Sequence, residues 1–261
     1  MKILAIGDVV GRAALDYIKR ELPNIRRLLR ADFVVCNGEN VCDIRGLTPA
    51  DADTLLSSGA DLITTGNHVF GQRSIYDRLD DDERSIRPCN YPAEARGTGY
   101  TILDALGYRL LCINALGTVF LDALDNPFCS VEKILAREEG KYDFSLLDFH
   151  AEATSEKLAM GYFLDGRVNI VFGTHTHVQT ADETVLPKGT GYITDLGMTG
   201  PDGSILGTAP EPVIERFRTH MPHRFGVAEG RITLCGALFD LDTTSGRVRE
   251  VSRVRFSDTQ T

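Results

Sequence analysis

Phe33-Val-Val-Cys-Asn-Gly-Glu-Asn40 is a short apolar run that ends in glycine, a carboxylate and an amide. A continuous apolar run of this length marks a strand buried on both faces, as in a parallel sheet. The same pattern recurs on either side of it. Ile3-Leu-Ala-Ile-Gly-Asp8 and Leu62-Ile-Thr-Thr-Gly-Asn-His68 repeat it, and Val168-Asn-Ile-Val-Phe-Gly-Thr-His-Thr-His177 repeats it with two histidines. Phe144-Ser-Leu-Leu-Asp-Phe-His150 follows it without the glycine. Between the first three runs lie stretches of helical spacing, so the chain reads as βαβ units, which imply a parallel sheet and an α/β fold. In open α/β sheets the site lies beyond the carboxyl ends of the strands. The five strand ends therefore deliver Asp8, Glu39, Asn40, Asn67, His68, His150, His175 and His177 to one rim.

The intervening segments set the order of elements. After the first strand (3–7), Leu15, Ile18 and Leu22 recur at helical spacing, and Ile25, Leu28 and Leu29 extend the same face. Pro23 is expected to kink this helix or to start a second turn. A strand at 33–36 follows. Thr48-Pro49 supplies an N-cap and a proline for the first helical position, and Gly59 a stop. A strand at 61–65 and a helix near 72–79 come next. The pattern then changes, with residues 100–104 and 108–113 flanking Ala105-Leu-Gly107 as a hairpin. A helix near 130–138, a strand at 144–149, a helix near 155–163 and a strand at 168–172 restore the alternation. Residues 190–195 read as a further strand and 210–218 as a short helix. Segments 231–242 and 247–256 form a last hairpin around Asp242-Thr-Thr-Ser-Gly246. Val248, Val251 and Val254 do not alternate strictly, which predicts a bulge or an edge strand. This order predicts two sheets packed face to face with helices outside, on a single domain (1–261) without internal repeats.

The 261 residues carry a net charge of −9, with 43% hydrophobic and 25% charged residues. That composition fits one large α/β domain and argues against disorder, apart from the polar tail Ser257-Asp-Thr-Gln-Thr261. No run approaches the roughly 18 apolar residues of a membrane span. The first residues read as a strand rather than a signal peptide. Six cysteines without a Cys-x-x-Cys pair lead to the expectation of a reduced, cytoplasmic protein. Cys42, in a polar loop, is weighed as a reactive or metal-binding thiol against ordinary packing. The acidic balance and the lack of a basic stripe argue against extended duplex nucleic acid as a partner. They leave room for a small anionic substrate, because bound metal ions invert the local field. The sequence leaves open a homo-oligomer.

The rim residues form a donor set. Asp8 and Glu39 offer carboxylate oxygens, Asn40 and Asn67 amide oxygens, and His150, His175 and His177 imidazole nitrogens. These exceed the three or four protein ligands of a single catalytic zinc and suit two ions that share a carboxylate. Mixed nitrogen and oxygen donors without thiolate favour Mn, Fe, Zn or Co. Paired ions about 3.5–4 Å apart suit the hydrolysis of phosphate esters by a bridging hydroxide. His68, next to Asn67, is placed to protonate a leaving alkoxide, the alternatives being a ligand or a packed turn residue. Gly197, Met198 and Thr199 either line the substrate pocket or simply turn. Arg12 is weighed as a phosphate contact against a solvated helix-start residue, which is the favoured reading, and His220 and His223 read as surface residues. Asn114 ends a strand with no ligand role required of it.

Taken in order, Gly7-Asp8, Gly38-Glu39-Asn40, Gly66-Asn67-His68, His150 and Gly173-Thr-His175-Thr-His177 resemble the motif series of the calcineurin-like metallophosphoesterases. Two positions depart from it: Asp8-Val-Val lacks the usual first-motif histidine, and Glu39 stands where aspartate usually bridges. Both departures resemble the YmdB-like bacterial phosphodiesterases, as do Gly7-Asp-Val-Val-Gly-Arg12, Asn37-Gly-Glu-Asn40 and Tyr192-Ile-Thr-Asp-Leu-Gly-Met-Thr-Gly200. This resemblance spans nearly the whole chain. It implies a four-layer α-β-β-α sandwich and a two-metal site, often with iron or manganese, with Zn, Co or Mg as alternatives. It also implies hydrolysis of small cyclic nucleotides, 2′,3′-cyclic AMP in particular. Carried over by position, one ion takes Asp8, Glu39, Asn40 and His177, and the other Glu39, Asn67, His150 and His175. Glu39 bridges them, Asn40 fills the place of the missing histidine, and His68 protonates the ribose oxygen that leaves. The loop Val41–Thr48 lacks the small-residue run usual in the subgroup, which bears on specificity if that loop touches the nucleoside. The competing readings are a phosphomonoesterase or RNA-acting nuclease on the same site, and a regulatory protein that binds a nucleotide without turnover.

Overall fold

The computed structural model describes residues 1–42 and 45–258. Residues 43–44 of the loop after Asn40 and residues 259–261 of the polar tail lie outside the described residues. The first half of the chain runs β1 (Lys2–Ile6), β2 (Asp8–Val9), α1 (Gly11–Leu29), β3 (Phe33–Asn37), α2 (Pro49–Ser57), β4 (Leu62–Thr64), α3 (Tyr76–Asp81), β5 (Tyr100–Ala105) and β6 (Tyr108–Leu116). The second half runs α4 (Pro127–Arg137), β7 (Phe144–His150), α5 (Thr154–Leu164), β8 (Ile170–Thr174), β9 (Thr184–Val185), β10 (Gly191–Ile193), β11 (Met198–Pro201), α6 (Pro210–Thr219), β12 (Ile232–Leu241) and β13 (Val248–Ser257).

One sheet has the order β2-β11-β12-β1-β3-β4, with β13 paired to β12. The other has the order β5-β6-β7-β8-β10-β9. In the first, β1, β3 and β4 are parallel and β12 runs antiparallel to β1. In the second, β6, β7, β8 and β10 are parallel, with β5 and β9 antiparallel at the edges. Both sheets are mixed, as the order of motifs predicts.

Side-chain alternation explains the layers. Leu4, Ile6, Val34 and Cys36 pack against Leu15, Ile18 and Leu22 of α1 and Leu55 of α2. Ile3, Ala5, Phe33 and Val35 point the opposite way, against Leu110, Cys112, Leu146, Ile170 and Phe172 of the second sheet. The far face of that sheet, with Leu111, Ile113, Leu147 and Val171, packs on Val131 and Ile134 of α4 and Met160 and Leu164 of α5. Three apolar seams thus separate four layers, α-β-β-α. Each fully buried Leu, Ile or Phe in them contributes about 1.5–3 kcal/mol relative to exposure. Phe172 and Phe239 meet across the middle seam with ring centroids 6.3 Å apart.

Several local expectations change. α1 runs from Gly11 to Leu29 with Pro23 inside it, so no second helix starts there. Pro23 lies on the solvent face, so water can meet the Lys19 carbonyl that it leaves unbonded. Leu28 does not extend the apolar face and is 70% exposed, because the buried stripe continues from Leu22 through Ile25 to Leu29. The helix near 72–79 is a 3₁₀ turn at Arg73–Ile75 followed by the short α3. β8 ends at Thr174 rather than Phe172, so His175 follows it directly. Arg12 is a largely exposed helix-start residue as expected, and its guanidinium in addition pairs with the buried Asp51 at 2.8 Å. Other expectations hold. The Thr48 hydroxyl accepts from Asp51 N at 3.2 Å while the Asp51 carboxylate accepts from Thr48 N, capping α2. The β12–β13 register slips at Asp240/Leu241, the bulge expected from the valines. Among the described residues no helix is long and apolar enough to cross a membrane.

Candidate metal centre

The carboxyl ends of the parallel strands from both sheets share one rim. Asp8 opens β2 just past β1, Glu39 and Asn40 follow β3, and Asn67 and His68 follow β4. His150 is the last residue of β7, and His175 and His177 follow β8. Asn114 ties the two sheets together beneath this rim. Its Oδ1 accepts from Thr65 N at 3.2 Å, and its Nδ2 donates to Asp148 O at 3.3 Å.

His150 is fully buried at the centre of the cluster. Around its Nε2 stand Glu39 Oε1 at 3.0 Å, Asn67 Oδ1 at 3.0 Å and His175 Nδ1 at 3.1 Å. Glu39, His150 and His175 present ligand atoms within 4.8 Å of one another. On the other side of Glu39, Asn40 Nδ2 lies 3.3 Å from Glu39 Oε1 and 3.2 Å from His177 Nε2. Asp8 Oδ1 is buried without a hydrogen-bond partner, 3.9 Å from His177 Nε2. Gly66 leaves the space these groups use, since a Cβ there would come within 2.3 Å of His150 Nε2 and 2.4 Å of Glu39 Oε2. Three acceptors converging on one nitrogen beside an unpartnered carboxylate oxygen form a donor set that fits a cation.

The second nitrogen of each histidine is tied down, which fixes its tautomer. The Thr174 hydroxyl donates to Asp148 Oδ1 at 2.7 Å, so it must accept from His150 Nδ1 at 2.8 Å. His177 Nδ1 donates to Leu206 O at 3.0 Å, leaving the lone pair of Nε2 directed inward. His175 Nε2 lies 3.0 Å from Glu152 Oε2 and Nδ1 faces the cluster. His175 and His177 both have positive φ, 100° and 63°, a conformation that persists only where surrounding structure holds it. A buried ion pair does so. Lys157 Nζ donates to Thr174 O at 2.8 Å and to Asp195 Oδ2 at 2.6 Å. The same Asp195 oxygen accepts from Thr176 N and Thr176 Oγ1 at 3.2 and 2.8 Å.

Electrostatics follow from this packing. Burial pushes the Asp8 carboxyl up, against the pull of His177 and His150. Burial acts on Glu39 in the same direction, but the charge and hydrogen bonding of His150 and then His68 hold it at about 2. His150 is raised to about 9, because Glu39, Asp8 and Asp148 together outweigh burial. His175 is held down at about 3 by burial and by His150. Burial also lowers His68, with Glu39 opposing. A proton on His150 thus takes the positive charge that the surrounding acceptors call for.

His68 donates its backbone N–H to Glu39 Oε2 at 3.0 Å and holds Asn40 Oδ1 through Nδ1 at 2.8 Å. Asn40 therefore turns its nitrogen, not its oxygen, toward the cluster. A ligand role for its oxygen requires the amide to rotate and exchange these hydrogen bonds. An open cleft of about 280 Å³ is lined by Glu39, Asn40, His68, His175 and His177, with Glu152, Thr176 and Leu206 completing its wall. Gly197, Met198 and Thr199 are not brought to that wall. Gly197 O accepts from Asp8 N at 3.2 Å, and Met198 and Thr199 pair with Asp8 and Val9, so this segment backs Asp8 from behind. His220 is exposed and His223 half-buried, away from the cluster. Sequence reading missed Asp148, Glu152, Lys157, Thr174 and Asp195. Two signals were present: Asp148 interrupts an apolar strand, and Lys157 shares the i, i+3, i+7 stripe of Met160 and Leu164.

Four layers, two mixed sheets and a rim of carboxylates, amides and histidines shared between them define a metallophosphoesterase type of fold. Within it the chain belongs to the YmdB-like protein family, whose model matches residues 4–254. It is 45% identical over 258 residues to the 2′,3′-cyclic-nucleotide 2′-phosphodiesterase of Bacillus subtilis, covering 99% of this chain and 98% of that one. Among solved structures it is similar to a protein of Thermus thermophilus, with a TM-score of 0.93 and 40% identity over 99% of this chain and 100% of that one. It is also similar to a phosphatase of Mycoplasma pneumoniae, with a TM-score of 0.93 and 32% identity over 98% of this chain and 93% of that one.

Proposed function

We propose that this phosphoric diester hydrolase opens 2′,3′-cyclic nucleotides of the cyclic AMP type. It does so as one domain over residues 1–261, in a cytoplasmic setting, with two metal ions of which iron or manganese are favoured. Asp8, Glu39, Asn40 and His177 would hold one ion, and Glu39, Asn67, His150 and His175 the other. The observation that carries this reading is the convergence of Glu39, Asn67 and His175 on His150 Nε2 at 3.0–3.1 Å, beside the unpartnered Asp8 Oδ1. When bound, such ions polarise phosphoryl oxygens and acidify water.

The chain's own groups supply the rest. Glu39 touches both halves of the donor set, and Asn40 joins it by turning its amide. Asn40 Oδ1 or Nδ2 engages His68 Nδ1 in either orientation, so Nε2 is the nitrogen through which His68 exchanges a proton. From the cleft wall His68 donates that proton to the ribose oxygen released when the cyclic diester opens. The product is a nucleoside monophosphate, and no second cleavage is required. The name of the Bacillus subtilis relative supports the substrate class.

A substrate panel on metal-loaded protein tests the reading. Conversion of 2′,3′-cyclic AMP to a monophosphate, without release of inorganic phosphate, is the expected result. Phosphate release from 2′- or 3′-AMP with cyclic diesters untouched would replace it with the monoesterase reading, to which the name of the Mycoplasma pneumoniae relative points.

A further inference from the structure

Among the described residues, eight of the thirteen exposed large apolar side chains fall in three segments: 119–120, 178 and 206–225. Each segment starts at the rim of the site. Gly117 N donates to His150 O at 2.9 Å, Val178 follows His177, and Leu206 both lines the cleft and accepts from His177 Nδ1. The longest segment is an excursion. Thr208 pairs with Val227, Ala209 N donates to Gly226 O at 3.1 Å and Ala228 N to Gly207 O at 2.8 Å, so residues 210–225 hang from Leu206 at the cleft wall.

Its outer run, Arg216-Phe-Arg-Thr-His-Met-Pro-His-Arg224, carries three arginines, two histidines and no acid in a chain of net charge −9. Phe217 is 75% exposed, second only to Phe120 at 87%. Arg216 lies 5.7 Å from the centroid of the Phe225 ring, and Arg218 pairs with Glu215 at 3.4 Å. A stripe of apolar side chains alone would suit a second copy of the chain. Cations interleaved with exposed aromatics, in an otherwise acidic protein, instead complement a flexible polyanion whose bases can stack.

We infer that the 210–225 excursion holds the RNA strand on the 5′ side of a 2′,3′-cyclic phosphate end, so that the site acts on RNA 3′ ends as well as on free nucleotides. The inference rests on the cyclic-phosphate reading of the site.

The test compares 2′,3′-cyclic AMP with oligoadenylates of increasing length that end in a 2′,3′-cyclic phosphate. For the metal-loaded wild type, kcat/KM rises about tenfold with length, the scale of one base–aromatic stack, and the gain falls with added salt. Phe217→Ala, and separately Arg216→Glu with Arg224→Glu, remove this gain and leave kcat/KM for 2′,3′-cyclic AMP unchanged. Fluorescence anisotropy of a 3′-phosphorylated pentanucleotide on chelator-treated protein reads the surface without chemistry, and Phe217→Ala weakens that binding about tenfold. Turnover of 2′,3′-cyclic AMP with no gain from length, and pentanucleotide binding indifferent to both variants, overturns the inference. A smaller oligomer in Phe217→Ala with RNA binding unchanged also overturns it and makes the surface a contact between copies. Pentanucleotide binding through Phe217 in a protein that opens no cyclic nucleotide supports the surface and overturns the site reading instead.

Discussion

Lys157→Met keeps most of the side-chain volume and removes one buried cation. In the native protein Lys157 is 2% exposed and joins Thr174 O and Asp195 Oδ2 at 2.8 and 2.6 Å. Removing one partner of a buried pair costs about 3–5 kcal/mol. Asp195 keeps Thr176 N, Thr176 Oγ1 and Gly197 N as donors, which places the loss near the lower end, about 3 kcal/mol. With an unfolding entropy of about 2.1 cal/mol/K per residue over 261 residues, the melting midpoint falls by about 5–6 °C. The disturbance concentrates on the loop in which His175 and His177 hold positive φ. Loss of a group that positions metal ligands weakens metal binding by about 10–100-fold. At fixed free Mn²⁺ well above the Kd, a tenfold loss removes about 1.4 kcal/mol of metal-induced stabilisation. The assay is thermal unfolding of chelated and Mn²⁺-loaded protein, wild type and variant. A chelated variant within about 1 °C of wild type, or one destabilised but with the full metal-induced increment, refutes the reasoning.

Four further outcomes are expected. Gly66→Ala places a Cβ 2.3 Å from His150 Nε2, so the protein folds but loses bound metal, read by metal analysis alongside circular dichroism. Glu39→Gln lowers metal content and turnover together, because Glu39 Oε1 contacts both His150 Nε2 and Asn40 Nδ2; full metal content would mean that it bridges nothing. His68→Ala retains metal and loses kcat by about 10²–10⁴, the scale of general acid catalysis, and loss of metal instead makes it a ligand. Metal uptake weakens as pH falls: His150 binds its proton up to about 9 in the metal-free protein, and a cation must displace it. The apparent Kd therefore rises about tenfold per pH unit below that value for one displaced proton, and a pH-independent Kd contradicts the assignment of His150.

The parallel strands were legible because both of their faces are buried. Phe33-Val-Val-Cys36 sends Phe33 and Val35 to one seam and Val34 and Cys36 to the other, so the run is apolar without alternation. The rim residues were legible because each ends such a strand or closely follows one in sequence. Asn67 and His150 come from different sheets yet approach to 3.0 Å once the sheets stack. What stayed hidden depends on geometry that spacing does not encode. The Asn40 amide orientation follows from the competition between His68 and His177 for its two ends. Lys157 and Asp195 are 38 positions apart, and only the docking of α5 beneath β8 brings them together. Pro23 does not end α1, and it sits on the solvent face, where water can take the Lys19 carbonyl that its missing N–H leaves unbonded.

Stepwise addition of Mn²⁺ to chelator-treated protein, with hydrolysis of 2′,3′-cyclic AMP followed at each step, tests the central claim most directly. Activity should start at background, rise with bound metal and level off near two ions per chain. Full turnover in the chelated protein, or none with the metal sites saturated, would contradict it.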